Sequence, residues 1–166
     1  MALATAGAGG PPSVRFVHFK GLRANRFVFY TNYGSRKALE LAANPAAALA
    51  FCWLPLRRQV RVEGRCLQLD RATSESYFST RSRESQLSSV ASEQSQELVS
   101  FDVLEARIEA LRVEHAGREI PCPVNWGGIV LEAEHMEFWQ GQAHRRHRRY
   151  RYDLYQSTWN LRLLYP

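Results

Sequence analysis

Apolar residues return at every second position in one short stretch after another of this chain, and turn residues separate the stretches. A period of two matches the alternation of a half-buried strand and excludes a mainly helical fold. The pattern predicts strands over 13–20 and 27–31 with the turn GLRAN between them. A further strand over 1–6 is joined to them by the flexible GAGGPP. A chain rarely begins inside its sheet, so an upstream segment is expected to be missing from this sequence. The apolar run 46–53 reads as a fully buried strand. Residues 59–69 alternate through Val60, Val62, Cys66, Leu67 and Leu69, with a bulge expected at Gly64. Four more strands are expected over 129–133, 136–140, 150–154 and 159–164.

Helices interrupt this series. Ser35 can cap a helix over 35–43 that Asn44-Pro45 stops, and Asp70 can cap another over 70–79. A short helix is expected over 84–92. The span 100–115 carries an apolar stripe of Phe101, Leu104, Ile108 and Leu111, ending at Gly117. Strands linked by turns and broken by a few helices predict an α+β fold, mainly antiparallel β: a barrel with peripheral helices. A length of 166 residues suits one domain over 1–166.

Composition narrows the function classes. No apolar run approaches the ~18 residues of a membrane span, and the start lacks the basic leader of a signal peptide. Cys52, Cys66 and Cys122 are odd in number and form no CxxC pair, as expected of reduced thiols in a cytoplasmic protein. The net charge of +6 invites an anionic ligand, either a polyanion or a small phosphorylated molecule. Only Lys20 and Lys37 are lysines among 22 basic residues.

Three patterns carry candidate chemistry. The segment EFWQGQAHRRHRR (137–149) mixes aromatic rings, amides, histidines and arginines, which suits a phosphorylated aromatic ligand or a nucleic-acid patch. On a strand, alternation would put Arg145, His147 and Arg149 on one face, and Arg146 and Arg148 on the other. Ser35-Arg36-Lys37 at a helix start can hold phosphate, or can be two solvated charges on a surface helix. Tyr77, Arg81 and Ser85 are spaced by four, so one continuous helix would gather them into a phosphate cradle, or into a plain polar face. Neither a GxSxG elbow nor an HExxH metal pair is present, and no metal is expected.

PSVRFVHFKG, FYTNYGSRKALEL, RRQVRVEG, SYFSTRSRESQLSSVASEQS, WGG and EFWQGQ…HRRHRR occur in this order across nearly the whole chain. In these motifs the chain resembles the pyridoxine (pyridoxamine) 5′-phosphate oxidase family, as an N-terminally short member. The resemblance implies an FMN-binding split barrel, acting as a homodimer with its sites at the subunit interface, and no nucleic-acid or membrane partner. It implies flavin contacts from Arg15, Val17 (by backbone), Lys20, Tyr30, Thr31, Arg36, Lys37, Gln59, Gln94, Ser95, Trp139 and Arg149. Substrate contacts would come from Lys20, Tyr77, Arg81, Ser85, Arg145 and His147, with Arg145 and His147 as the catalytic pair. The implied reaction oxidises pyridoxine or pyridoxamine 5′-phosphate to pyridoxal 5′-phosphate, with dioxygen as acceptor. An alternative is a weakly active or non-catalytic binder of flavin or vitamin B6 phosphate on the same fold.

Three departures from the family pattern stand out. Arg148 replaces an aspartate, and His18 stands at an aliphatic position expected to be core. The tail LRLLYP moves an arginine by one residue, which would reverse its strand face.

Overall fold

The alternating stretches become nine strands in the computed structural model, which describes residues Met1–Pro166. They are β1 (Ala2–Ala6), β2 (Pro12–Phe16), β3 (Leu22–Arg23), β4 (Arg26–Asn32), β5 (Ala46–Trp53), β6 (Arg58–Gln68), β7 (Trp126–Gln140), β8 (Arg148–Tyr155) and β9 (Thr158–Leu164). The helices are α1 (Arg36–Ala43), α2 (Arg71–Ser79), α3 (Arg83–Ala91) and α4 (Phe101–Glu114). One sheet runs β2-β1-β5-β6-β7-β4-β3, and β8 pairs with both β7 and β9. The pairs β1–β2, β1–β5, β3–β4, β5–β6, β7–β8 and β8–β9 are antiparallel.

Local chemistry accounts for the connections. Ala24-Asn25 and Gln156-Ser157 form two-residue hairpin loops with positive φ at both positions. That backbone twist matches the right-handed twist of the flanking strands. Asp70 caps α2 by accepting from the Thr73 N–H at 2.7 Å. Ser82 and Ser100 cap α3 and α4 in the same way.

The chain divides into two compact units. The first comprises Met1–Phe29, Glu40–Leu67 and Val130–Pro166. It buries Leu3, Phe29, Leu49, Val62, Val130 and Leu131. The second comprises Tyr30–Leu39 and Gln68–Ile129. Its core is Phe78, Leu87, Ile120 and Trp126, with Tyr30, Tyr77, Ile108 and Leu111 packed against it.

Several expectations need correction. β5 is not fully buried: only Leu49 is, its four alanines leave little apolar surface to hide, and Trp53 at its end is 45% exposed. Gly64 makes no bulge, since burial alternates through Val62, Gly64 and Cys66 and the β5–β6 register is unbroken. Its role is close approach, because a Cβ there would lie 1.9 Å from the Glu132 carbonyl oxygen. The strands expected over 129–133 and 136–140 are one strand, β7. β2 ends at Phe16, so Arg15 lies in the strand while Lys20 lies beyond it. Phe101 is 80% exposed, which leaves Leu104, Ile108 and Leu111 as the half-buried side of α4. His18 is exposed in this chain, not core. No helix is long and apolar enough to cross a membrane.

Candidate active site

In the second unit, α1 starts after Ser35, whose carbonyl accepts from the N–H groups of Ala38 (2.9 Å) and Leu39 (3.0 Å). The Ser35 hydroxyl turns back and donates to the Asn32 carbonyl at 2.7 Å. Lys37 is only 9% exposed, and its ammonium donates to Thr31 Oγ1 (3.2 Å), Ser35 Oγ (3.1 Å) and Gln94 Oε1 (2.7 Å). Gln94 Oε1 also accepts from Thr31 at 3.1 Å. Two donors on that oxygen assign the amide orientation and leave its NH2 group to donate elsewhere. Ser95 follows with φ 76°, a left-handed conformation that non-glycine residues seldom adopt. Arg36 is exposed on the first turn of α1. Four predicted flavin residues (Thr31, Lys37, Gln94 and Ser95) are thus joined by direct bonds or adjacency. Ammonium, hydroxyl and amide donors fit a ligand that is anionic and rich in oxygen, such as FMN.

The predicted substrate residues of this unit do not share one helix face. α2 ends at Ser79 and α3 begins at Arg83, so Arg81 sits in the turn between them. Ser85 lies in the first turn of α3, where its hydroxyl accepts from Ser82 at 2.8 Å. Tyr77 instead joins an aromatic stack. Its ring lies 3.9 Å from Tyr30 and 6.3 Å from Trp126, centroid to centroid, with interplanar angles of 16° and 3°. The Arg81 guanidinium lies over the Trp126 ring at 4.8 Å and near the Phe78 ring at 5.6 Å, and donates to Ser89 Oγ at 2.6 Å. No carboxylate is among these partners. Burial pushes the pKa of Arg81 down from the ordinary arginine value. The stack is built tightly: a Cβ on Gly128 would meet Leu69 at 2.5 Å and Tyr30 at 3.0 Å.

In the first unit, the buried Glu137 accepts from Arg149 Nε (2.8 Å) and NH2 (3.0 Å), and from Arg61 NH2 (3.0 Å). Hydrogen bonds from Arg149 hold its carboxyl below the ordinary value of 4.5, against the opposing effect of burial, with the Arg61 charge adding to the shift. A carboxylate depressed in this way contributes its full stabilisation at neutral pH. The contribution fades as pH falls below about 4.5 and through the folded value. Glu137→Gln is therefore expected to cost about 2 kcal/mol at pH 7 and to flatten the acid limb of the stability curve below pH 4.5. Urea unfolding of both proteins between pH 3 and 7 checks this.

The face expected for Arg145, His147 and Arg149 does not form, because residues 143–145 make a turn of 3-10 helix. His144 and Arg145 have φ of 55° and 60°, and β8 starts only at Arg148. Arg145 is exposed on that turn. His147 packs on Trp139, its ring centroid 4.7 Å from the indole, and His147 Nδ1 accepts from the Gln142 N–H at 3.1 Å. That bond leaves Nε2 to carry the ring proton. Gln59 is exposed at the start of β6, opposite Cys52. Arg15 is engaged by Glu40 (3.2 Å), Thr5 and Ser13. The Val17 backbone exchanges hydrogen bonds with Met1, and the Lys20 N–H donates to the Val28 carbonyl. Arg148 is exposed, and the shifted Arg162 donates to Asp153 at 2.7 Å.

Sequence reasoning gave no role to Glu137, Glu40 or Ser89. Glu137 had a usable signal: it is an acid at an inward position of an alternating strand, two residues from Trp139. Ser89 had none, because its bond to Arg81 reaches from α3 back to the turn that precedes it, which no helix spacing announces.

Residues 1–115 match the model of the family described as pyridoxamine 5′-phosphate oxidase. Residues 126–166 match the pyridoxine 5′-phosphate oxidase C-terminal dimerisation region. The chain belongs to the pyridoxamine 5′-phosphate oxidase family. It is thereby a member of an oxidoreductase family whose cofactor is FMN and whose C-terminal region forms dimers. The pyridoxine/pyridoxamine 5′-phosphate oxidase of Sphingopyxis alaskensis is 48% identical over 166 residues, all of this chain and 77% of the relative. The same-named protein of Salinispora arenicola is 50% identical over 153 residues, 92% of this chain and 69% of its own length. Among solved structures, PhzG from Burkholderia lata, in complex with tetrahydrophenazine-1-carboxylic acid, superposes with a TM-score of 0.94 at 32% identity. That match covers 99% of this chain and 81% of PhzG. An FMN-binding protein of Nostoc punctiforme related to this oxidase family superposes at 0.78 with 18% identity, over 99% of this chain and 87% of that one. The fold is the FMN-binding split barrel, mainly antiparallel as expected.

Proposed function

We propose that this protein oxidises pyridoxine 5′-phosphate or pyridoxamine 5′-phosphate to pyridoxal 5′-phosphate, with dioxygen as the acceptor. The alcohol and one dioxygen give the aldehyde and hydrogen peroxide; the amine consumes a water as well and releases ammonia. The observation that carries this reading is Arg81: a half-buried guanidinium on an aromatic bed, held by a neutral hydroxyl and facing no carboxylate. Such a cation suits the phosphate of a small ligand, which supports the reading.

FMN, when bound, supplies the two-electron acceptor that dioxygen restores. Thr31, Lys37, Gln94 and Ser95 would hold its oxygen-rich groups, with Arg36 adding charge at the start of α1. Arg15, Val17, Lys20, Tyr30, Gln59, Trp139 and Arg149 complete the proposed flavin set. On the substrate side Lys20, Tyr77, Arg81 and Ser85 would bind, and Arg145 and His147 would position the pyridine ring. His147 would offer its Nε2–H as a donor to an oxygen substituent of the pyridine ring, since Nδ1 is occupied by Gln142. The sites belong to a cytoplasmic homodimer and lie at its subunit interface.

Oxygen uptake with pyridoxamine 5′-phosphate and the visible flavin spectrum test the reading together. Arg145→Ala is expected to lower kcat/KM by at least about tenfold, the scale of one lost charge-assisted hydrogen bond, while flavin content is kept. Arg36→Ala is expected to lose flavin first. Equal loss of both properties in either variant refutes these assignments. A yellow protein that takes up no oxygen supports instead a flavin- or vitamin-binding role on the same fold.

A further inference from the structure

Arg81 lies in a two-helix turn, where an arginine would ordinarily sample many rotamers and pay entropy on meeting an anion. Here three neighbours remove that freedom. The Trp126 ring lies beneath the guanidinium at 4.8 Å, the Phe78 ring flanks it at 5.6 Å, and Ser89 accepts one of its N–H groups at 2.6 Å. Trp126 is itself packed in place. It is 6% exposed, stacks in parallel on Tyr30 and Tyr77, and its carbonyl accepts from Arg71 at 3.2 Å. The same Arg71 guanidinium donates to the Pro123 carbonyl at 2.8 Å, which ties down the turn that precedes Trp126. A guanidinium held over a ring and bonded at one N–H group by Ser89 has fewer orientations open to it, and its remaining N–H groups are left to meet an anion.

We infer that Trp126 and Ser89 are positioning residues that preset the Arg81 guanidinium for the phosphate of the substrate, and so set the preference for phosphorylated over unphosphorylated ligands. The inference rests on reading Arg81 as the phosphate-binding residue. The lowered basicity of Arg81 agrees with a cation taken from water onto an aromatic bed. Ser89 acts through its hydroxyl alone, and Trp126 through its face.

The test is equilibrium binding of pyridoxal 5′-phosphate and of pyridoxal to the FMN-loaded protein, with the ratio of the two dissociation constants as readout. Ser89→Ala is expected to lower the preference for the phosphorylated ligand about fivefold to tenfold, with pyridoxal binding and flavin content unchanged. Trp126→Leu is expected to do the same, and Trp126→Phe, which keeps a ring under the cation, to restore most of the preference. Arg81→Ala should abolish the preference. If Arg81→Ala abolishes it while Ser89→Ala and Trp126→Leu leave it intact, the positioning roles are wrong and the reading of Arg81 stands. A preference that survives Arg81→Ala overturns both. Equal weakening of both ligands by Ser89→Ala overturns the inference too, and this variant decides alone should Trp126→Leu fail to fold.

Discussion

Lys37→Met is expected to yield a folded protein that has lost most of its FMN, with affinity reduced by at least about 100-fold. The ammonium is buried beside Thr31, Ser35 and Gln94 and donates to all three. Methionine fills a similar volume without a charge, so the packing of α1 is kept and the desolvation cost of the cation disappears. Stability should therefore hold or rise while binding collapses, a split that separates a ligand-binding lysine from a structural one. Flavin absorbance of the purified protein and fluorescence titration with FMN measure the binding, and thermal unfolding without added FMN measures the fold. Unaltered flavin affinity in Lys37→Met would remove the lysine from the site. A large loss of intrinsic stability would assign it to the scaffold instead.

Gly64→Ala is expected to destabilise the fold by about 3 kcal/mol or more, the range for overpacking and backbone clash. The added Cβ would stand 1.9 Å from the Glu132 carbonyl oxygen, 2.9 Å from its carbon and 3.1 Å from the Ala133 Cα. All three are backbone atoms, so no side chain can rotate aside; the strands themselves must separate. Gly64 sits within the alternating buried row of β6, between Val62 and Cys66. Urea denaturation midpoints report the loss directly. A change under about 1 kcal/mol would mean that β6 and β7 part easily at this point, against the close packing of protein interiors.

Much of the fold was legible because its signals are local. Alternation marked β4, β6, β8 and β9, an apolar run marked β5, and Asp70 marked a helix start that the structure keeps. Errors came where local pattern and packing part ways. An apolar run of alanines looked buried in β5, yet small side chains can face solvent at little cost. Gly64 looked like a break, although its function is to admit a neighbouring backbone. The spacing of Tyr77, Arg81 and Ser85 suggested one helix, but the capping of α3 by Ser82 ends that continuity. The arginine-rich 145–149 looked like a strand, but two left-handed residues turn the chain first.

The candidate site divides in the same way. Residue type and order, readable in one dimension, carried the family membership and with it the FMN cofactor and the dimerising C-terminal region. They also marked Lys37 as an exceptional cation in an arginine-rich chain. Periodicity and capping are properties of neighbours along the chain, so sequence alone determined most of the strands, the helices and the stock of anion-binding groups. Only the tertiary structure decided that Lys37 is buried while Arg36 is exposed, that Glu137 holds Arg149, and that Arg81 rests on Trp126 beside Ser89. Those facts depend on contacts between residues far apart in the chain, and such contacts exist only once the hydrophobic faces have packed.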